Sequence, residues 1–145
     1  MQVKVKKLSS NAVIPFKSTD GSSGYDITAT SIKVVDEGVF GYIEYGTGLS
    51  MVVPKGYAGL IFPRSSISNK GLILSNSVGV IDSDYRGEVK ARFKHIEGTT
   101  KYEVGDKIAQ FILVKTPIVT FKEVDDLDAT ERGEGGFGST DDIIY

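Results

Sequence analysis

Two carboxylates and an aromatic ring lie close together in the middle of the chain, in Gly79–Gly87 (GVIDSDYRG). The apolar pair before the first acid is typical of a strand, so Asp82, Asp84 and Tyr85 are expected on the turn that follows it. A carboxylate on such a turn is able to act as a general base, and the ring is able to stack against a sugar. A hydrophilic hairpin tip has the same composition, and the spacing alone leaves both interpretations open.

Four further segments carry groups that suit a phosphorylated ligand. Ser23–Ile27 (SGYDI) places an acid at the start of a strand, and Pro63–Ser66 (PRSS) sets a guanidinium fork beside hydroxyls. Gly105–Ile112 (GDKIAQFI) interrupts an apolar strand with Gln110, which needs hydrogen-bond partners if buried. Arg132–Thr140 (RGEGGFGST) has glycines that let backbone approach a phosphate. Taken singly, the first two segments are more typical of turns and the third of a turn that leads into a core strand, while the last is as typical of a disordered terminus as of a binding loop.

Composition limits the chemistry that these segments can perform. The chain has no cysteine and one histidine, His95, which excludes disulfides, thiolate sites and a multi-histidine metal site within one chain. Oxygen ligands remain, and they suit magnesium or calcium better than zinc. A formal net charge of −2 argues against a wide nucleic-acid footprint. Without a long apolar run we expect no membrane partner and a cytoplasmic location (host cytoplasm if a virus encodes the chain).

The elements that must position these groups are short strands separated by turns. Seventeen glycines and almost no helical periodicity predict an all-β sandwich or barrel of one domain. One or two helical turns are expected within Ser65–Lys70. In residues 89–94, apolar and charged residues alternate as in a half-buried strand. The other predicted strands are Met1–Leu8, Ile32–Val35, Gly38–Tyr45, Leu49–Val53, Tyr57–Phe62, the stretch around Val80, Ile108–Val114 and Ile118–Val124.

In their order and spacing, the five segments resemble the five motifs of the homotrimeric dUTPase family, from residue 23 to residue 140. Those motifs read approximately A-G-Y-D-L, P-R-S-G, G-V-I-D-x-D-Y-R-G, R-I-A-Q and R-G-x-G-G-F-G-S-T. The resemblance implies a distorted jelly-roll β-barrel over residues 1–124 and a flexible C-terminal arm over 125–145 that closes over an active site. It also implies a trimer whose active sites are shared between subunits.

The activity implied by this resemblance is hydrolysis of dUTP to dUMP and pyrophosphate with Mg²⁺, which keeps uracil out of DNA and supplies dUMP for thymidylate synthesis. By position, Asp82 is the general base for water attack on the α-phosphorus. Asp26 holds the metal through its water shell, with substrate phosphates as direct ligands. The residues expected to bind the phosphates are Arg64, Ser65, Ser66, Lys90, Gln110, Arg132, Gly138, Ser139 and Thr140, although Lys90 reads equally well as an exposed strand lysine.

The same resemblance assigns the base and the sugar to the hairpin. Asn76 and the backbone around Val80, Ile81 and Asp82 are expected to pair with uracil. Tyr85 is expected to stack under the deoxyribose and exclude UTP, and Phe137 to cover the uracil from the arm.

Four positions depart from the family patterns. Ser23 replaces alanine, Lys107 replaces arginine, and Asp141 replaces a glycine frequent after the fifth motif. Ser66 replaces the glycine of the second motif, where its side chain would narrow the phosphate channel or add a hydroxyl contact.

Two other functions fit the same patterns. Deoxycytidine triphosphate deaminases share the architecture, and incubation with dCTP and Mg²⁺ separates them from a dUTPase. A protein that uses the fold only to bind a regulatory partner is the second alternative, and an Asp82→Asn variant tests it.

Overall fold

The computed structural model describes residues 1–139. Within this range the chain forms ten strands and two short 3-10 turns, Gly38–Phe40 and Ser65–Asn69. The strands are β1 (Lys4–Lys7), β2 (Tyr25–Thr28), β3 (Ser31–Val35), β4 (Tyr42–Gly46), β5 (Leu49–Val52), β6 (Tyr57–Phe62), β7 (Leu72–Leu74), β8 (Gly79–Ile81), β9 (Lys90–His95) and β10 (Lys107–Lys115). None of the helical turns in the described part of the chain is long and apolar enough to cross a membrane.

All strand pairs are antiparallel, and most neighbours in the sheets are distant in sequence. One four-stranded sheet has the order β2-β10-β6-β8, the other has the order β3-β4-β9-β7, and β1 pairs with β5 separately. Long connections of this kind between antiparallel sheets are typical of a jelly-roll. The predicted all-β jelly-roll class is therefore confirmed.

The core contains the inward-facing residues of these sheets. On β9 and just before it, Val89, Ala91 and Phe93 are buried while the charged residues between them are exposed, which confirms the predicted alternation. The Phe93 ring meets Tyr45 edge-to-face with 5.6 Å between centroids. The Tyr45 hydroxyl donates to the Tyr102 carbonyl at 3.0 Å, and burial raises the pKa of Tyr45 to about 12.

Two predicted strands are shorter in the structure. β1 covers only Lys4–Lys7, and Leu8, at the end of the predicted strand, lies outside it and is half exposed. The predicted strand Gly38–Tyr45 begins only at Tyr42, because Gly38 has a φ of 57° and starts a 3-10 turn instead. The helical turn expected within Ser65–Lys70 is confirmed as the 3-10 turn there.

The predicted strand Ile118–Val124 was wrong for the isolated chain. Residues 116–139 contain no strand, and the side chains of Ile118 and Phe121 are 98% and 96% exposed. Alternation alone does not make a strand, because its backbone groups need a neighbouring strand. No neighbouring strand from residues 1–139 pairs with this segment.

Replacement of Phe93 tests where the core lies. Phe93→Ala should lower the free energy of unfolding by about 3–5 kcal/mol, because it removes a ring that is 0% exposed and leaves a cavity. Ile73→Ala is the control, since Ile73 is 62% exposed on β7. Urea unfolding measures both variants, and a similar loss in the two would contradict this assignment.

Candidate active site

Three elements meet at one corner of the first sheet and bring together charged side chains that are far apart in sequence. Asp26 on β2 is only 7% exposed. Its Oδ1 accepts a hydrogen bond from Arg64 Nε at 2.8 Å, while its Oδ2 lies 3.0 Å from Lys107 Nζ. Ser18 also donates to Oδ2, at 2.5 Å. We call this group, Ser18, Asp26, Arg64 and Lys107, the phosphate corner.

A β-bulge places Lys107 in this corner. In a regular strand, side chains at odd and even positions point to opposite faces, so Lys107 and Gln110 would face apart. The register of β10 against β2 shifts between Lys107 and Ala109. Lys107 pairs with Thr28 and Gln110 with Asp26, so both side chains lie on the face that carries Asp26.

Gln110 contacts both the first and the second sequence motif. Its amide is half-buried and therefore needs a hydrogen-bond partner. Its Nε2 donates to the Pro63 carbonyl at 2.9 Å. A side chain at Gly24 would lie 3.0 Å from Gln110 Cβ, so the glycine of the first motif is needed for this close approach. Gln110 therefore fixes the backbone that leads into Arg64.

Ser66, the departure from the second motif, contacts the neighbouring arginine. Arg64 Nη1 donates to Ser66 Oγ at 3.3 Å, so the added hydroxyl orients the guanidinium. Ser65 is exposed beside it, and its carbonyl accepts from Ser68. The adjoining cleft has a volume of about 370 Å³ and is lined by Arg64, Ser66, Lys70, Tyr102, Gly105, Asp106 and Lys107.

Lys70 is a cation in this cleft that the sequence interpretation missed. Its ammonium lies 5.4 Å from the centre of the Tyr102 ring and donates to the Lys101 carbonyl at 3.3 Å. Among residues 1–139 it has no carboxylate partner, whereas Arg64 and Lys107 share Asp26. The signal available in the sequence was a lysine four residues after the second motif.

The charge balance of the corner favours an ionised Asp26. Burial raises the pKa of this carboxyl, but the hydrogen bonds from Ser18 and Lys107 and the Arg64 guanidinium outweigh that effect. The net result is a pKa lowered from the ordinary value of 3.8. The corner is therefore an anion held between two cations at neutral pH.

A second cleft, of about 470 Å³, lies along the loop that joins β7 to β8. This loop is the hairpin that the resemblance implies, but its two strands pair in different sheets, β7 with β9 and β8 with β6. Asn76, Val80, Ile81, Asp82 and Tyr85 are among the residues that line it. Asp82 is exposed directly after β8, and its carbonyl accepts from Tyr85 N at 3.2 Å in a tight turn. We call this space the hairpin cleft.

The tip of the hairpin holds Asn76 in a three-residue turn. Val78 N donates to the Asn76 carbonyl at 2.6 Å, and Ser77 between them has a φ of 61°. A left-handed conformation is uncommon for a residue other than glycine and is kept where surrounding contacts enforce it. This turn fixes the direction in which Asn76 leaves the backbone.

Lys90 lines the hairpin cleft but is already paired. Its Nζ lies 3.1 Å from Glu44 Oε1, and Glu44 also accepts from Arg92 Nε at 2.8 Å. The hydrogen bond to Glu44 raises the pKa of Lys90. Burial raises the pKa of Glu44, but the bonds from Arg92 and Lys90 leave it lowered overall. A phosphate contact by Lys90 would have to compete with this ion pair.

The phosphate corner and the hairpin cleft lie at opposite edges of one sheet. β2 and β8 are separated by β10 and β6, which is three strand spacings or roughly 14 Å. Asp26 pairs with Gln110, which in turn pairs with Phe62 on β6. Asp82 follows Ile81, which pairs with Gly59 on the same strand β6. The offset along the strands is therefore about four residues, or roughly 13 Å. Within one chain, Asp26 and Asp82 therefore lie roughly 20 Å apart.

The arm motif lies apart from both clefts. Arg132 Nε donates to the Gly135 carbonyl at 3.2 Å, and Phe137 is fully exposed. Ser139 is exposed as well, Gly138 has a φ of 83°, and neither cleft is lined by a residue of this segment. Thr140, the last expected phosphate ligand, lies outside the described residues.

The all-β fold carries a cationic corner and a cleft with an exposed acid, which suit an enzyme that acts on a phosphorylated substrate. The family model described as dUTPase matches residues 10–141, and the chain belongs to the dUTPase family. It is 40% identical over 142 residues to the deoxyuridine 5'-triphosphate nucleotidohydrolase of Helicobacter pylori (strain ATCC 700392 / 26695), covering 97% of each chain.

Two other relatives are similar over most of their length. The mitochondrial deoxyuridine 5'-triphosphate nucleotidohydrolase of Dictyostelium discoideum is 43% identical over 138 residues, which cover 94% of this chain and 75% of that protein. The solved dUTPase of Staphylococcus bacteriophage 80alpha, in complex with dUPNHPP, superposes with a TM-score of 0.77 at 27% identity. That match covers 95% of this chain and 97% of the phage chain.

The lowered pKa of Asp26 predicts how stability depends on pH. A carboxyl with a lowered folded pKa contributes stability above its ordinary value of 3.8, and that stability is lost as the pH falls through the folded pKa. Asp26→Asn should therefore unfold more easily than wild type at pH 7, and the difference should shrink below about pH 4. Urea unfolding at pH 7 and pH 3 measures it.

Asp20→Asn serves as the control, because Asp20 is exposed and makes no ion pair within residues 1–139. It should stay within about 0.5 kcal/mol of wild type at both pH values. A difference for Asp26→Asn that is equal at pH 7 and pH 3 would show that the carboxylate charge is not what stabilises the corner.

Proposed function

We propose that this protein hydrolyses dUTP to dUMP and pyrophosphate, with Asp82 as the general base. The observation that carries the proposal is the exposed Asp82 carboxylate beside Asn76 and Tyr85 in the hairpin cleft of a dUTPase-family chain. This activity keeps uracil out of DNA and supplies dUMP for thymidylate synthesis. The cytoplasm is the expected location.

The position of β8 supports recognition of uracil by backbone groups. β8 pairs only with β6 among the strands of residues 1–139, so the other edge of Gly79–Ile81 has free N–H and C=O groups. The backbone of Val80 and Ile81 pairs with uracil there, and the Asn76 amide contacts its edge. Cytosine presents a donor where uracil has an acceptor, a mismatch that discriminates by about 10⁴-fold or more.

In the catalytic step, Asp82 takes a proton from a water molecule that attacks the α-phosphorus. The new bond joins the water oxygen to the α-phosphorus, the bond to the bridging oxygen of the β-phosphate breaks, and pyrophosphate leaves with the electron pair. An ionised carboxylate that is exposed to the cleft suits this role, because proton transfer needs direct reach to the water. Arg64, Ser65 and Ser66 hold the phosphate chain, and Gln110 supports the backbone that carries them.

The residues present fit a water-mediated Mg²⁺ contact and not direct ligation by Asp26. A carboxylate has about four acceptor positions, and Ser18, Arg64 and Lys107 take three of them. The remaining position on Oδ1 suits one metal-bound water, whereas the two adjacent cations, Arg64 and Lys107, oppose direct contact with a divalent ion. When bound on the triphosphate oxygens, the ion neutralises charge that develops in the transition state.

A trimer with shared sites brings the two halves of the site together. The phosphate corner and the hairpin cleft are at opposite sheet edges of one chain, so the hairpin of one subunit faces the corner of another. The exposed apolar side chains of Ile118 and Phe121 support such an assembly, because they find cover on a neighbouring subunit.

The barrel comprises residues 1–124 and the arm residues 125–145. The arm closes over the nucleotide and brings Phe137 to the uracil. The arm residues that bind the terminal phosphate are Arg132, Gly138, Ser139 and Thr140. Lys90 reaches a phosphate only if it leaves Glu44.

Substitution of the two acids on the hairpin turn tests the role of Asp82. Asp82→Asn should lower dUTP turnover by about 10²-fold or more, because an amide cannot accept the proton. Asp84→Asn is the matched control on the same turn, and it should retain most of the activity because Asp84 does not line the hairpin cleft. The measurement is pyrophosphate release from dUTP and Mg²⁺.

Equal losses of activity in Asp82→Asn and Asp84→Asn would contradict the assignment of the general base to Asp82.

Incubation of wild type with dCTP and Mg²⁺ tests the alternative deaminase reaction. Release of dUTP or dUMP from dCTP would contradict the proposed function.

The assembly is tested by its mass. Sedimentation should give about three times the 15.7 kDa of one chain, since one chain cannot complete a site. A species of 15.7 kDa that hydrolyses dUTP at the full rate would contradict the shared site.

A further inference from the structure

We propose that Gly87 determines the preference for deoxyribose over ribose, because its missing side chain lets Tyr85 lie flat against the backbone as a fixed wall. The inference rests on the proposed function, in which Tyr85 stacks under the sugar.

The Tyr85 ring is held on one side and open on the other. Its hydroxyl donates to the Glu88 carbonyl at 2.9 Å. The ring passes directly over Gly87, where a Cβ would lie 2.6 Å from Tyr85 Cζ and 2.9 Å from Cε2. These distances are shorter than any tolerated carbon–carbon contact, so an alanine would force the ring away. Tyr85 also lines the hairpin cleft and is 44% exposed, so part of the ring remains accessible to a ligand.

The backbone under the ring is itself anchored to the turn between β4 and β5 and to the start of β5. Three hydrogen bonds connect residues 47–50 to residues 86–89, two of them from side-chain hydroxyls. They run from Ser50 Oγ to the Arg86 carbonyl at 2.7 Å, from Gly48 N to Glu88 Oε1 at 2.8 Å and from Thr47 Oγ1 to the Val89 carbonyl at 2.7 Å. The ring therefore rests on a support that does not move away when a larger sugar approaches.

Backbone conformation does not explain the glycine. Gly87 is absent from the glycines with positive φ in the described chain, such as Gly48 at 63° and Gly56 at 78°. Any residue adopts its φ, so the contact with Tyr85 is the requirement that remains.

A fixed ring and a loose ring discriminate sugars differently. Stacking alone binds ribose and deoxyribose about equally, because both present a similar face to the ring. Exclusion of a 2′-hydroxyl requires that the ring cannot yield to the added oxygen. The contact with Gly87 and the bond to the Glu88 carbonyl remove that freedom, and so convert a stacking surface into a selective one.

The test is the ratio of kcat/KM for dUTP to kcat/KM for UTP. Gly87→Ala should lower this ratio by about tenfold or more, because the displaced ring no longer excludes the hydroxyl. Gly21→Ala is the matched control, since Gly21 has open space around it and no positive φ, and its ratio should stay within about twofold of wild type. An unchanged ratio in folded, active Gly87→Ala overturns the inference and leaves the proposed function intact.

Two further variants decide the matter if Gly87→Ala does not fold. Tyr85→Phe removes the bond to the Glu88 carbonyl without added bulk, and it should lower the same ratio. In a Tyr85→Ala background, Gly87→Ala should change the ratio by less than about twofold, because the ring that transmits its effect is gone. An unchanged ratio in Tyr85→Phe, or a further large fall in the double variant, overturns the inference. A wild type that hydrolyses neither nucleotide overturns the proposed function with it.

Discussion

The strand order β2-β10-β6-β8 constrains the rest of the structure. Backbone hydrogen bonds fix the spacing of these strands, so the acid on β2 and the acid after β8 stay roughly 20 Å apart. No side-chain rotation closes such a gap. The sheet therefore displays the phosphate corner at one edge and the hairpin cleft at the other, and the shared site that we propose requires two copies of the sheet to meet.

Two local departures from regular strand structure bring the side chains of the phosphate corner together. The bulge in β10 turns Lys107 to the face that carries Asp26, and Gly24 leaves room for Gln110. The ionic contacts then hold Asp26 as a carboxylate and orient Arg64 before any ligand arrives. Binding an anion to this preorganised guanidinium requires little further loss of side-chain entropy, because that entropy has already been lost on folding.

Much of this was predictable from the sequence, and the failures share one cause. The order and spacing of the motifs predicted the family, and alternation predicted β9 and its buried Phe93. Motif spacing does not show which side chains meet across strands. The sequence analysis therefore missed the ion pair of Lys90 with Glu44, the hydrogen bond of Ser18 to Asp26 and the position of Lys70 in the cleft beside Arg64. Ile118–Val124 carries the pattern of a strand, but a strand needs a partner that the single chain does not provide.

Subunit mixing tests the shared site most directly. Asp82→Asn and Arg64→Ala each disable a different half of the site, so each variant alone should be almost inactive. After the two are unfolded together and refolded, about a quarter of the sites should combine an intact Asp82 from one subunit with an intact Arg64 from another. A shared site predicts recovery of about that fraction of wild-type dUTP turnover in the mixture. Mixed assemblies that stay as inactive as either parent would contradict it, because the two groups would then have to come from the same chain.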